Sequence, residues 1–169
     1  INDDAVNVIP ANCQQFSGMA ITSLMEAFGQ ASVPALHYVC DDRWKVTRLD
    51  IAIDCFDPEL RPRHFYAALD RGDCKSIFRS WREIANKDLD VGHTVYGGGA
   101  ESEKQLRVYD KSAEQGQEGI WTRYEMVFNG KRAQEVWDMV KGLQSDAQLL
   151  TEALRLLDSM VSFGKWDKG

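Results

Sequence analysis

No apolar run in the 169-residue chain approaches the roughly 20 residues that a membrane span needs. No signal-peptide pattern is visible either, so the reading is a cytoplasmic protein. The chain starts at Ile1 rather than Met, which predicts a fragment of a longer protein. Its length suits a single domain with a real core. The four cysteines, Cys13, Cys40, Cys55 and Cys74, form no CxxC pair and no Cys/His cluster. That excludes a zinc-ribbon or zinc-finger site and makes reduced thiols the default, with Cys55 expected to be buried. Histidine is scarce: His37, His64 and His93 stand alone, with no His-hydrophobic-His pair. Positive charge is also short. A formal net charge of −6 argues against a protein that merely coats nucleic acid, since Lys and Arg drive phosphate binding.

Hydrophobic content of 44% and charged content of 27% describe an ordinary globular chain. One segment runs against the acidic balance. Between Glu59 and Lys87, seven basic residues (Arg61, Arg63, Arg71, Lys75, Arg79, Arg82, Lys87) face four acidic ones. His64, Phe65, Tyr66, Phe78 and Trp81 are interleaved with them. Such a segment can hold phosphates and stack bases. It reads equally well as a solvated helix with a few core aromatics.

Apolar periodicity predicts an amphipathic helix over 12–30, then a strand "ALHYVC" and a long strand "WKVTRLDIAIDCF". Pro58 opens a helix through "ELRPRHFYAALDRG", with Pro62 still in its first turns. The pattern over 73–89 is weak. "HTVYGGG", "KQLRVYDK" and "WTRYEMVFNG" read as three further strands. Helices over 131–143 and 146–163 follow. The order implies an α+β fold: a mostly antiparallel five-stranded sheet with helices packed on one face.

Period-two alternation then sorts the side chains. In the long strand Leu49, Ile51, Ile53 and Cys55 share one face, and Arg48, Asp50, Ala52 and Asp54 the other. In "LRVYDK" the polar face carries Arg107, Tyr109 and Lys111. In "WTRYEMVF" it carries Trp121, Arg123, Glu125 and Val127. If the strands are neighbours, one surface gathers Asp50, Asp54 and Glu125 with Tyr109, Arg48, Arg107, Lys111 and Arg123. Carboxylates on rigid strands can hold Mg²⁺ or Mn²⁺, and arginines can grip phosphate oxygens bidentately. Cations and a metal would favour the phenolate of Tyr109 and activate it as a nucleophile. Plain cross-strand ion pairs would produce the same charge pattern.

The stretches "TRLDIAIDCFD", "HTVYGGG", "SEKQLRVYDKSAEQ" and "WTRYEMVFNGKRA", in that order between Trp44 and Ala133, resemble the replication initiation factor family. That family comprises rolling-circle initiators of plasmids and filamentous phages, with related relaxases of conjugative elements. The resemblance implies a fold similar to the HUH endonucleases and metal-dependent nicking of one DNA strand through a 5′-phosphotyrosine. It implies Tyr109 as nucleophile, Asp50 as a metal ligand and Glu125 as another family acid. Asp54 joins them by sharing the face of Asp50, and Arg48, Arg107, Lys111 and Arg123 are placed as DNA-binding groups. Lys111 and Glu114 match family positions of unassigned role. The implied partners are an origin hairpin with its single-stranded nick site, a second copy in a homodimer, and host replication proteins such as a helicase. The chain departs from the family in its glycine loop, "YGGG" where "YIGS" is usual, and its lone histidines exclude a metal site of the usual HUH kind. Two alternatives stay open: a conjugative relaxase with the same chemistry, or a catalytically silent DNA-binding accessory protein.

Overall fold

A computed structural model describes residues 32–39, 45–85 and 92–163. The expected helix over 12–30, Cys13, Cys40 and Lys87 lie outside the described residues. A five-stranded sheet forms from β1 (Arg48–Cys55), β3 (Trp81–Ile84), β4 (Thr94–Gly97), β5 (Lys104–Asp110) and β6 (Thr122–Asn129), in the order β1-β6-β5-β4-β3. Every adjacent pair in it is antiparallel. A small second sheet pairs β2 (Cys74–Ser76) with β7 (Val161–Phe163). The helices are α1 (Ser32–Val39), α2 (Pro62–Arg71), the short α3 (Lys111–Glu114), α4 (Gly130–Val140) and α5 (Asp146–Met160).

The expected α+β architecture is present, although one strand is not the expected one. The described part of "ALHYVC", residues 35–39, falls in α1, where Val33 and Ala35 are buried. A short apolar run does not distinguish a strand from a buried helix segment by periodicity. Here the Val33 amide, an unpaired donor of the first helical turn, donates to the Asp146 carboxylate at 2.7 Å. The fifth strand is β3 instead. It is only four residues long and lies at the sheet edge, so its pattern is weak.

Local chemistry also moves two helix boundaries. The helix expected from Pro58 is a 3-10 turn over Pro58–Leu60 followed by α2. Arg61 between them is extended (ψ 153°) because the ring of Pro62 disfavours a helical predecessor. At the other end, Gly72 caps α2 in the left-handed region at φ 78°. α5 stops at Met160, and Val161 turns extended to pair with Ser76.

The apolar strand faces and the helices share one core. Ile51, Val95, Leu106, Val108, Tyr124, Met126 and Phe128 pack with Phe65 of α2, Val136 and Trp137 of α4, and Leu156 and Met160 of α5. Cys55 and Cys74 are free thiols and only half-buried, less covered than expected for Cys55. The aromatics of the basic segment belong to this core. Phe65 meets Trp81 and Tyr124 edge-on, with centroids 5.4 and 5.7 Å apart, and Phe78 meets Trp81 edge-on at 5.3 Å. Phe65, Phe78 and Trp81 are therefore engaged in packing rather than open for the base stacking that the sequence left possible.

The glycine loop takes its place in the same packing. A Cβ on Gly97 would lie 2.5 Å from the Trp81 ring and 2.8 Å from Phe78. Gly98 turns the chain at φ 85°, and a Cβ there would lie 2.8 Å from the Lys104 carbonyl. These glycines admit aromatic rings against the backbone of the penultimate strand. Gly97→Ala is expected to destabilise the fold by about 1–3 kcal/mol through overpacking, read as a lower urea midpoint with unchanged slope.

Candidate active site

Strand register builds the polar face row by row. Ile84, Thr94, Tyr109, Arg123 and Asp54 align across β3, β4, β5, β6 and β1. The next row is Arg82, Tyr96, Arg107, Glu125 and Ala52. A third carries Gln105, Val127 and Asp50. The adjacency assumed from periodicity is thus met by β1, β6 and β5. Thr94 and Tyr96 complete the face, and the same alternation within "TVYG" places them there, opposite buried Val95.

Tyr109 sits at the centre. Its hydroxyl donates to Glu125 Oε2 at 3.2 Å, while Arg107 Nη1 donates to Glu125 Oε1 at 3.2 Å. Arg107 and Arg123 flank it on the two rows. An open pocket of 440 Å³ lies in front, lined by Thr94, Tyr96, Arg107, Tyr109, Asp110, Glu114 and Glu125. The other tyrosine of this strand pair, Tyr124, faces the core. It is buried and donates its hydroxyl to the Leu60 carbonyl at 2.9 Å. Only Tyr109 of the two presents its oxygen to the pocket.

The phenol is not poised as a phenolate. Burial, followed by the charge of Glu125, pushes the Tyr109 pKa up to about 12, and Arg123 only partly opposes this. Of the cations expected to favour ionisation, Arg123 does oppose the shift, but burial and the Glu125 charge outweigh it. Arg123 grips Asp54 bidentately at 2.7 and 2.8 Å. Burial pushes the Asp54 carboxyl up, but the Arg123 hydrogen bonds and charge outweigh it and hold the group below the usual range. Arg48 likewise grips Asp50 at 2.9 and 2.8 Å, and this pairing raises the guanidinium further.

Lys111 departs from its expected place. β5 ends at Asp110, which caps α3 by accepting the Ala113 amide at 3.1 Å and the Ser112 hydroxyl at 2.6 Å. Lys111 therefore opens a helical turn rather than continuing the strand. Its ammonium pairs with Glu114 and lies 5.8 Å from the Tyr109 ring centroid, so it stays beside the tyrosine by another route. Asp110 was the missed residue here. An Asp three residues before the amide it caps is its sequence signal.

The acids proposed for a metal share the face but do not form one chelate. Asp50 and Asp54 are four residues apart on β1, about 13 Å of strand. Glu125 lies opposite Ala52, between them. Among the described residues no group of three or more His, Cys, Asp or Glu side chains converges. Carboxylate oxygens of this kind suit a hard ion, which Glu125 and a neighbouring aspartate would hold with water completing its shell.

The chain is similar to known proteins in sequence and in fold. A protein of Bacillus subtilis (strain 168) named "Putative DNA relaxase NicK" is 30% identical over 129 residues, covering 69% of this chain and 36% of its own. The solved structure of a rolling circle replication initiator protein from Geobacillus stearothermophilus superimposes with a TM-score of 0.63 at 25% identity. That match covers 81% of this chain and 55% of the other. The chain thus spans roughly a third to a half of the length of these relatives. Residues 44–168 match the family described as replication initiation factor, and the chain belongs to it.

Proposed function

We propose that this chain nicks and rejoins one strand of DNA at a replication origin, through a tyrosine linked covalently to the 5′ phosphate. The observation that carries this reading is the hydroxyl of Tyr109, aimed into an open pocket and donated to Glu125 between two arginines. A neutral phenol needs its proton removed as it attacks. Glu125 already holds that hydrogen bond, so it takes the proton. The phenol oxygen forms a bond to phosphorus, the bond from phosphorus to the 3′ oxygen breaks, and the 3′ oxygen leaves as a hydroxyl with a proton from water, while Glu125 returns its proton to water. The same steps reversed rejoin the strand.

The arginines have two states in this scheme. At rest each is paired with a carboxylate. A phosphodiester competes for the same bidentate donors, so Arg107 and Arg123 shift to its non-bridging oxygens. Arg48 serves a phosphate farther along the strand, and Lys111 screens charge beside the ring. Release of Arg48 frees Asp50, which with Glu125 would hold Mg²⁺ or Mn²⁺. Such an ion, when bound, supplies charge to stabilise the phosphorane-like transition state. The relaxase name of the Bacillus relative makes conjugative nicking the second reading, with identical chemistry.

Incubation with a supercoiled origin plasmid and Mg²⁺ should give a covalent protein–DNA adduct on denaturing gels. Tyr109→Phe should abolish it; an equal yield from that variant would sink the assignment. Glu125→Gln should slow adduct formation by roughly 10²–10⁴-fold. Chelation with EDTA should stop nicking and Mn²⁺ should restore it, whereas undiminished nicking in EDTA would remove the metal.

Titration provides an independent check. The raised phenol binds its proton more tightly in the folded chain than in the unfolded one. Its contribution to stability is fully present below the unfolded value of about 10 and is lost as pH rises through about 12. The ultraviolet difference between wild type and Tyr109→Phe should show ionisation near the upper value. In a Glu125→Gln background it should move down, since the anion that opposes the phenolate is gone.

A further inference from the structure

Phe56 is 66% exposed, an unusual position for a large aromatic beside a charged face. It follows Cys55, the last residue of β1, and Trp121 precedes Thr122, the residue paired with Cys55. The two rings therefore extend the β1–β6 ladder by one rung. They stack with centroids 6.2 Å apart and an interplanar angle of 28°. By alternation they stand on the same side of the sheet as Asp54 and Arg123. The Arg123 guanidinium lies 5.7 Å from the Trp121 ring centroid. The Lys111 amide donates to the Trp121 carbonyl at 2.7 Å.

We infer that Phe56, supported by Trp121, is a stacking platform for an unpaired DNA base next to the phosphate that Tyr109 attacks. This deepens the proposed nicking function and rests on it. The platform is two rungs along from the row that holds Tyr109, on the same face of the sheet, so a base on it belongs to a nucleotide close to the pocket. Its surroundings select the occupant. Arg123 beside the Trp121 ring suits a polyanion that draws it off Asp54, while the exposed ring suits a flat, apolar partner; a nucleotide combines the two. A base stacked inside a duplex offers no free face, so the platform takes single-stranded DNA. Trp121, held by Phe56 and Arg123, keeps the open ring from collapsing onto the sheet.

The probes are a short oligo(dT) and an abasic deoxyribose-phosphate oligomer of the same length, bound to the Tyr109→Phe protein so that no covalent step intervenes. Fluorescence anisotropy across a salt series reads both affinity and salt slope. The platform predicts that oligo(dT) binds more tightly than the abasic oligomer and that Phe56→Ala weakens oligo(dT) roughly ten-fold. The variant should leave abasic binding and the salt slope unchanged, since no phosphate contact is lost. Phe56→Trp should restore the preference for bases. A preference undiminished in Phe56→Ala overturns the platform while leaving the nicking chemistry standing. Loss of the covalent adduct assay with the base preference intact overturns the nicking chemistry and leaves a single-strand binding face. Binding to neither oligomer overturns both.

Discussion

Everything on the polar face depends on the register between β5 and β6. Pairing Arg107 with Glu125 and Tyr109 with Arg123 sets each ionisable group opposite a partner of complementary character. A slip of one residue would send Tyr109 toward the helices and bring Val108 out to water. The register is held from the other side, where Leu106, Val108, Tyr124, Met126 and Phe128 are buried against α2, α4 and α5. The core thus specifies the site. Burial of the apolar face is worth far more than the ion pairs above it, which are partly exposed and individually modest.

The electrostatics of that face follow from saturation. Arginines and carboxylates are matched nearly one to one, so the resting surface carries little unpaired charge. Asp54 is depressed by Arg123, while Tyr109 is raised by burial and by Glu125. Two acidic groups on one face are pushed in opposite directions by their neighbours, so the Asp54 carboxyl rests ionised while the Tyr109 phenol keeps its proton. Under the proposed function it also reconciles an acidic chain with a phosphate ligand: the cations of this face are present but committed to carboxylates.

Much of this was legible from alternation. Period two placed Arg48, Asp50 and Asp54 on one face of β1, Tyr109 and Arg107 together on β5, and Glu125 and Arg123 together on β6, all before any pairing was known. It could not tell which arginine each acid would choose, because that depends on register across strands rather than order along them. Nor could it stop β5 at Asp110, where a side-chain cap competes with the ladder and turns Lys111 into a helix. "ALHYVC" was misread since a short apolar run is equally at home in a buried helix. Phe56 carried no signal at all. Its exposure is decided by where β1 ends, and its partner Trp121 is sixty-odd residues away in sequence.

Ala52 occupies the last place in the row Arg82, Tyr96, Arg107, Glu125. Every other member of that row is long, and this one is a methyl group. It stands exposed between Asp50 and Asp54, directly across from Glu125. A longer side chain there would stand between the Arg48–Asp50 and Arg123–Asp54 pairs. The reach of the charged groups on the edge strand is therefore set in part by the smallest residue among them.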